Sequence, residues 1–333
     1  LKTLGKENKY MKKTLIICLA LIMCLTCSTV FAGGSSEKAA KTTYNVGICQ
    51  FVQHVALDAA TQGFEDAIIE ALGKDNVKFN YQNASADMAT VTTIINSLVS
   101  DKVDLILANA TPPLQSAASA TDTIPILGTS ITDYATALGM PLDGTGATGI
   151  NVSGACDLAP LDKQADMIKE LFPNAKTVGL LYCSAEANSI YQITEMEKYL
   201  DKLGIKHTRY AFTDSNDVAS VTQSACSACD VIYIPTDNTA ASCTEAIRNV
   251  VEPAKVPVVA GEEGICSGCG VATLTISYYD LGYTTGKMAV QILANGADVS
   301  KMPIEYAANP IKKYNAELCK SLGISIPSDY TAI

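Results

Sequence analysis

The sequence predicts an α/β fold of two similar halves, each a parallel sheet flanked by helices, facing each other across a ligand cleft. Three observations predict it. The first is a junction: "GLLYCSAEANSIYQITEMEKYLDKLGI", Gly179 to Ile205, passes from an apolar strand through small polar residues straight into a helix. Ile190, Ile193, Met196, Leu200 and Leu203 then fall on one helical face. The second is that "YNVGICQFVQHVALDAATQGFEDAI" (44–68) follows the same plan. The third is that the match continues in register. "VDLILANATPPLQSAASA" (103–120) pairs with "CDVIYIPTDNTAASCTEAI" (229–247), and "IPILGTSITD" (124–133) with "VPVVAGEEG" (256–264). The offsets are 132 residues from Val46 to Val178, 126 from Asp104 to Asp230 and 132 from Pro125 to Pro257. Three correspondences in one order at nearly one spacing imply an internal duplication.

In chain order, residues 1–32 read as an export signal. Met11-Lys12-Lys13 is a basic start, Leu15 to Met23 an apolar core, and Val30-Phe31-Ala32 a small-residue cleavage signal, with Gly33 as the mature start and residues 1–10 upstream. A lipid anchor at Cys27 is the alternative, although Thr26 is not the usual small residue before such a cysteine. Residues 33–43 read as a flexible polar leader. The first strand then ends in a polar patch at 49–54, and its helix turns Phe64, Ala67, Ile68, Ala71 and Leu72 inward. Further post-strand patches lie at 83–87, 109–112 and 129–133, and in the second half at 183–189, 236–238 and 261–264. Parallel strands place such turns on one sheet edge, where ligands bind. Two halves facing by these edges pool their polar turns in one cleft.

Composition narrows the function. Residues 1–32 hold Lys2, Lys6, Lys9, Lys12, Lys13 and Glu7, so without them net charge falls from −10 to −14. A chain this acidic repels nucleic-acid phosphates. Of 12 cysteines, Cys18, Cys24 and Cys27 belong to the export segment. The odd, scattered remainder is no disulfide framework and hints at a reducing habitat. Cys226/Cys229 and Cys266/Cys269 form two C-x-x-C units, a zinc pattern. However, the first pair precedes the strand 231–234 and the second follows the strand 256–260. Opposite strand ends are ~15–20 Å apart, so free thiols or local disulfides are expected, with no metal and no cofactor. Among catalytic signatures, no G-x-S-x-G elbow, Walker loop or G-x-G-x-x-G is present. Of two histidines, His54 follows the first strand and reads as a ligand contact or helix start, while His207 lies in a polar connection.

Asn188, Ser189, Asp237 and Asn238 suit helix N-caps. Pooled on one edge, such turns also supply donors, carboxylates and helix N-termini, a set that fits a zwitterionic solute.

"GICQFVQHVALDAATQGFEDAI", "ANATPPLQSA", "YCSAEANS", "YIPTDNT" and "ISYYDLGYTTGKMA", closing on "NAELCKSLGISIP", resemble the ABC-transporter substrate-binding family associated with tryptophan and related aromatic amino acids, over residues 44–328. The resemblance implies a type I periplasmic binding protein fold: two Rossmann-like lobes, 44–152 with 278–302 and 153–277 with 303–330. It implies hinge crossings near Ile150–Gly154 and Ser277–Tyr279. Ligand contacts are implied at Gln50, His54, Thr111, Glu186, Asn188, Ser189, Asp237 and Asn238, and the post-strand turns add Asp133, Thr236 and Glu262. Val55 and Tyr134 stand where the family usually has proline, which brings Tyr134, with Phe51, into consideration as ring contacts.

The function implied is that of a non-enzymatic, monomeric, exported solute-binding component of an ABC importer, periplasmic or cell-surface. It takes an aromatic amino acid and relies on permease and ATPase subunits. A receptor feeding a membrane kinase or chemoreceptor is the alternative, followed by an exported metal-dependent enzyme.

Overall fold

The computed structural model describes residues 43–307 and 309–333, so the expected export signal and the leader up to residue 42 lie outside the described residues. The first lobe alternates strand and helix: β1 (Tyr44–Gln50), α1 (Val55–Leu72), β2 (Val77–Asn83), α2 (Met88–Ser100), β3 (Leu105–Asn109), α3 (Thr111–Ala120), β4 (Ile126–Ile131), α4 (Tyr134–Leu138) and β5 (Val152–Cys156). β3, β4 and β5 are buried along their whole length, as expected for parallel strands covered on both faces. β2, "VKFNYQN", buries only Val77 fully and forms the sheet edge.

The chain then crosses to the second lobe: α5 (Leu161–Leu171), β6 (Thr177–Cys183), α6 (Ala187–Lys202), β7 (Lys206–Phe212), α7 (Val218–Cys226), β8 (Val231–Ile234), α8 (Asn238–Ser242), α9 (Thr244–Ala254), β9 (Val258–Ala260), α10 (Glu263–Cys269) and β10 (Ala272–Thr275). It returns through α11 (Tyr278–Asn295) and β11 (Glu305–Tyr306), and crosses again to β12 (Ile311–Tyr314), α12 (Ala316–Leu322) and β13 (Thr331–Ala332).

The strand orders are β11-β5-β4-β3-β1-β2 and β13-β12-β10-β9-β8-β6-β7. The run β2-β1-β3-β4-β5 thus repeats as β7-β6-β8-β9-β10, and all of these pairs are parallel. The duplication reaches single residues. Asp104 Oδ2 accepts from the Asn45 N–H before β3, and its counterpart Asp230 Oδ2 accepts from the Lys176 and Thr177 N–H groups before β8. Each carboxylate fixes the start of the neighbouring strand. Apolar clusters fill both faces of each sheet, around Ile95 and Phe64 in the first lobe and around Tyr233 and Ile232 in the second.

Sheet membership carries the first lobe past the boundaries at 152 and 302. β5 pairs with β4 and β11 pairs with β5, so residues 153–156 and 305–306 belong to the first sheet. The first crossing therefore lies beyond Cys156 rather than at Ile150–Gly154. A four-residue run such as "VSGA" pairs equally well with either sheet on pattern alone.

The returning helix α11 lies against α1 through glycines. A Cβ on Gly282 would collide with the Ala60 carbonyl oxygen, and one on Gly63 with the Tyr279 carbonyl oxygen. Gly282→Ala should therefore cost about 1–3 kcal/mol in urea denaturation through overpacking. Gly144→Ala, where the added methyl meets open space, should change stability by less than about 0.5 kcal/mol.

Candidate functional site

Turns after the strands of both lobes converge on one enclosed cavity. The first lobe contributes His54, Leu57, Ser130 and Thr132; the second contributes Asn188, Thr236, Asp237, Asn238, Ala241 and Glu262. Asp157 and Tyr278, which flank the two crossings between lobes, complete the wall. The open space is about 10 Å³, roughly a single water. The lobes touch across it: His54 Nε2 lies 3.3 Å from Asn238 Oδ1, and Gln192 Nε2 donates to Thr132 Oγ1 at 3.1 Å. The cleft is closed. A larger cleft of about 240 Å³ adjoins it, sharing Glu262 and Tyr278, with apolar walls from Val55, Ala56, Ala59, Ile276 and Ile311.

The second lobe's wall is held by two buried carboxylates. Glu186, leading into α6, accepts from Asn188 Nδ2, from the N–H and Nδ2 of Asn238, and from the N–H and Oγ1 of Thr239. Asp237 caps α8 through the Ala240 N–H at 2.8 Å and accepts from the Cys183 N–H at the end of β6 at 2.6 Å. Thr236 is fixed from α6, where Gln192 donates to its Oγ1 and accepts from its N–H. Glu262 caps α10, accepting from the N–H groups of Gly264 and Ile265.

Six of the eleven expected residues therefore line the cavity: His54, Asn188, Thr236, Asp237, Asn238 and Glu262. The other five do not. Gln50 is consumed inside the first lobe, donating to Val52 O and Asp58 Oδ1 and accepting from Thr61 Oγ1. Thr111 is buried in the first turn of α3. Asp133 caps α4 through the Thr136 N–H. Glu186 stands behind Asn188 and Asn238, and Ser189 is fully buried against Asp237. The cap reading holds for Asp237 and not for Asn188, Ser189 or Asn238, which sit inside the first turns of α6 and α8; Asp133 and Glu262 are caps as well.

Tyr134 stays out of the cleft. Its hydroxyl donates to Gly128 O at 2.9 Å and stands in the space that a Cβ on Gly128 or Gly154 would occupy. Phe51 is likewise part of the first lobe's core. Conversely, sequence reading passed over Asp157, Tyr278 and Ser130. Asp157 carried the same signal as the others, a polar residue ending an apolar strand. Ser130, next to last in β4, lies in the left-handed region, with φ at 57°.

Several enclosed polar atoms in this wall have no partner: His54 Nδ1, Ser130 Oγ, Asp157 Oδ1 and Asn188 Oδ1. Each such atom costs about 1–3 kcal/mol unless something satisfies it. No lysine or arginine lines the cavity. Burial pushes Asp157 up to about 6 and Glu262 to about 7, and burial together with Glu186 raises Asp237. His54 moves the other way, because burial disfavours its charged form.

The C-x-x-C pairs occupy opposite strand ends. Cys226 and Cys229 lead into β8, and Cys266 and Cys269 lie on α10 after β9. All nine cysteines among the described residues are free thiols, and no group of three or more His, Cys, Asp or Glu among those residues is placed to hold a metal.

The family model for ABC transporter substrate binding proteins matches residues 45–332. The chain belongs to that family. It is a solute-binding component of an ABC importer, a binder rather than a catalyst, with the type I periplasmic binding protein fold. Such components work outside the cytoplasm with permease and ATPase partners. It is similar to a tyrosine-binding protein of Clostridioides difficile (strain R20291), 35% identical over 306 residues, 90% of this chain and 88% of that one. It resembles the ABC domain of Streptococcus pneumoniae in complex with L-Trp, with 33% identity, a TM-score of 0.83, and 87% and 100% of the two chains covered. A ligand-free, open substrate-binding protein with adhesive properties from Clostridium difficile is 37% identical over 87% and 99% of the chains, yet its TM-score is 0.66. The closed cleft described above matches the complex better than the open form.

The carboxyls give a pH test. Asp157, Asp237 and Glu262 hold protons more tightly folded than unfolded, where carboxyl pKa values are about 4. Their contribution to stability is full below about pH 4 and is lost as pH rises through about 6 to 7. Within this wall His54 opposes this. Denaturant melts of the ligand-free protein should show stability falling from pH 5 to pH 8 by at least about 1 kcal/mol, and Glu262→Gln should reduce the fall.

Proposed function

We propose that this chain captures an aromatic amino acid between its lobes and presents it to its permease. The observation that carries the reading is the cavity itself: an enclosed, acidic, lysine- and arginine-free site with unpartnered polar atoms from both lobes. A zwitterion's ammonium suits the acidic wall, and its carboxylate suits the Ser130 hydroxyl and the N-terminus of α1, which has no side-chain cap. The side chain extends toward the adjoining apolar cleft. His54, Asn188, Thr236, Asn238 and Glu262 form the contact wall, while Asp237 and the buried Glu186, Ser189, Gln50, Thr111 and Asp133 hold that wall in shape. The relatives support the ligand class, since one is named for tyrosine and another is a complex with L-Trp. The chain reaches its place through the signal ending at Ala32.

The chain contains no tryptophan, so free L-tryptophan is its own probe. Its indole emission should shift and saturate on titration into the purified protein, and tyrosine or phenylalanine should reverse the shift. Calorimetry showing heat from no aromatic amino acid would remove the ligand assignment. Asn188→Ala should weaken binding about tenfold or more, by removing a desolvated contact to a charged group.

Intact mass of the protein from its native host should correspond to a start at Gly33. A diacylated species starting at Cys27 would instead establish the lipid anchor.

A further inference from the structure

We infer that Asp157 is the counter-ion of a primary ammonium group on the ligand, and that Glu186, without touching the ligand, sets the protonation pattern of His54 so that its Nδ1 accepts from the same group. This rests on the amino-acid reading above and goes beyond it by naming the atoms.

A primary ammonium carries three N–H donors and no acceptor. The cavity offers three enclosed acceptors without donors: Asp157 Oδ1, Asn188 Oδ1 and His54 Nδ1. Asp157 and Asn188 are 3% and 6% exposed. Of the three carboxylates in the wall, Asp237 and Glu262 have both oxygens engaged by backbone N–H groups. Asp157 alone has an oxygen without a hydrogen-bond partner, Oδ1; Tyr278 OH donates to its Oδ2 at 2.9 Å, and the Thr132 hydroxyl is the other side chain that bears on this carboxyl.

The His54 assignment follows from a relay. Glu186 Oε2 accepts from Asn238 Nδ2 at 2.6 Å, which fixes the amide so that its oxygen faces His54. An oxygen at 3.3 Å from Nε2 requires the proton on Nε2. Nδ1 of the neutral ring is then an acceptor. Asn188 is oriented by the same carboxylate: its Nδ2 faces Glu186 and Thr236 O, so its oxygen points away from them. Glu186 is a positioning residue for two of the three acceptors.

The test compares L-tyrosine and L-tryptophan with 3-(4-hydroxyphenyl)propionate and indole-3-propionate, which lack the amino group, and with tyramine and tryptamine, which lack the carboxylate. The wild-type protein should prefer the amino acids over their des-amino analogues by about 100-fold. Asp157→Asn should erase that preference and weaken the des-amino compounds by less than about threefold. N,N-dimethyltyrosine, which keeps the charge but has one N–H, should bind weakly to the unmutated protein, so the decision does not depend on a variant that folds. Nitrogen-15 NMR of the ligand-free protein, which has only two histidines, should show Nδ1 of His54 unprotonated, and Glu186→Gln should mix the tautomers. Amino acids that bind while Asp157→Asn discriminates as the wild type does, or an Nδ1-protonated His54, would overturn this inference and leave the amino-acid reading standing. If no amino acid binds but tyramine or tryptamine does, the amino-acid reading fails and the ammonium site stands. If none of these compounds binds, both fall.

Discussion

The site depends on one buried carboxylate. Glu186 sits where β6 gives way to α6, and its two oxygens gather the backbone and side chains at the start of α8. Withdrawing a carboxylate from water is costly unless donors replace the lost hydration. Here the donors belong to another turn, so satisfying the charge fixes that turn in place. Asp237 works in the opposite direction, reaching from α8 back to the Cys183 N–H at the end of β6. The two turns are thereby locked to each other twice. A wall built this way presents its remaining acceptors in one arrangement, which a recognition site requires.

The first lobe solves the same problem with neutral groups. Gln50 at the end of β1, Thr61 on α1 and Asn109 at the end of β3 share a buried network, with Asp58 at its rim. Amides replace carboxylates at the equivalent sheet edge. The duplicated halves have kept strand order and the Asp104/Asp230 anchors while their binding turns diverged. Negative charge in the wall consequently comes from the second lobe and from Asp157 at the crossing, and the first lobe contributes His54 and hydroxyls.

This division explains what was legible in the sequence. Features present twice were readable, because each copy interprets the other: the strand–turn–helix junctions, the strand order and the pooling of polar turns on one edge. Features present once were not. β5, β11 and the crossings have no partner copy, so the lobe boundaries fell a few residues short, and Asp157 and Tyr278, which flank the crossings, were passed over. Gln50 ends β1 and Glu186 leads into α6, but pattern alone does not say whether a polar side chain at such a turn faces a cavity or the protein behind it. The place of Tyr134 is marked by two glycines. Gly128 and Gly154 interrupt two otherwise side-chain-bearing central strands, and glycine there marks close approach by another group. The tyrosine is that group.

Asp157 also has a mechanical position that the lobe walls lack. It follows β5 at the first crossing, and Tyr278, which holds its Oδ2, opens α11 just past the second. Atoms near the axis of a hinge move little as the lobes rotate, whereas the contacts between His54 and Asn238 and between Gln192 and Thr132 span the cleft and join the two lobes. On the proposal that Asp157 takes the ammonium, a ligand head held there stays bound before and after closure. On the same proposal, His54 from one lobe and Asn188 from the other complete its contacts when the lobes meet. Closure is then selected by a group able to satisfy both walls and the hinge carboxylate at once, since any other leaves enclosed acceptors without donors. The buried polar atoms without protein partners in this wall are what makes the closed state selective.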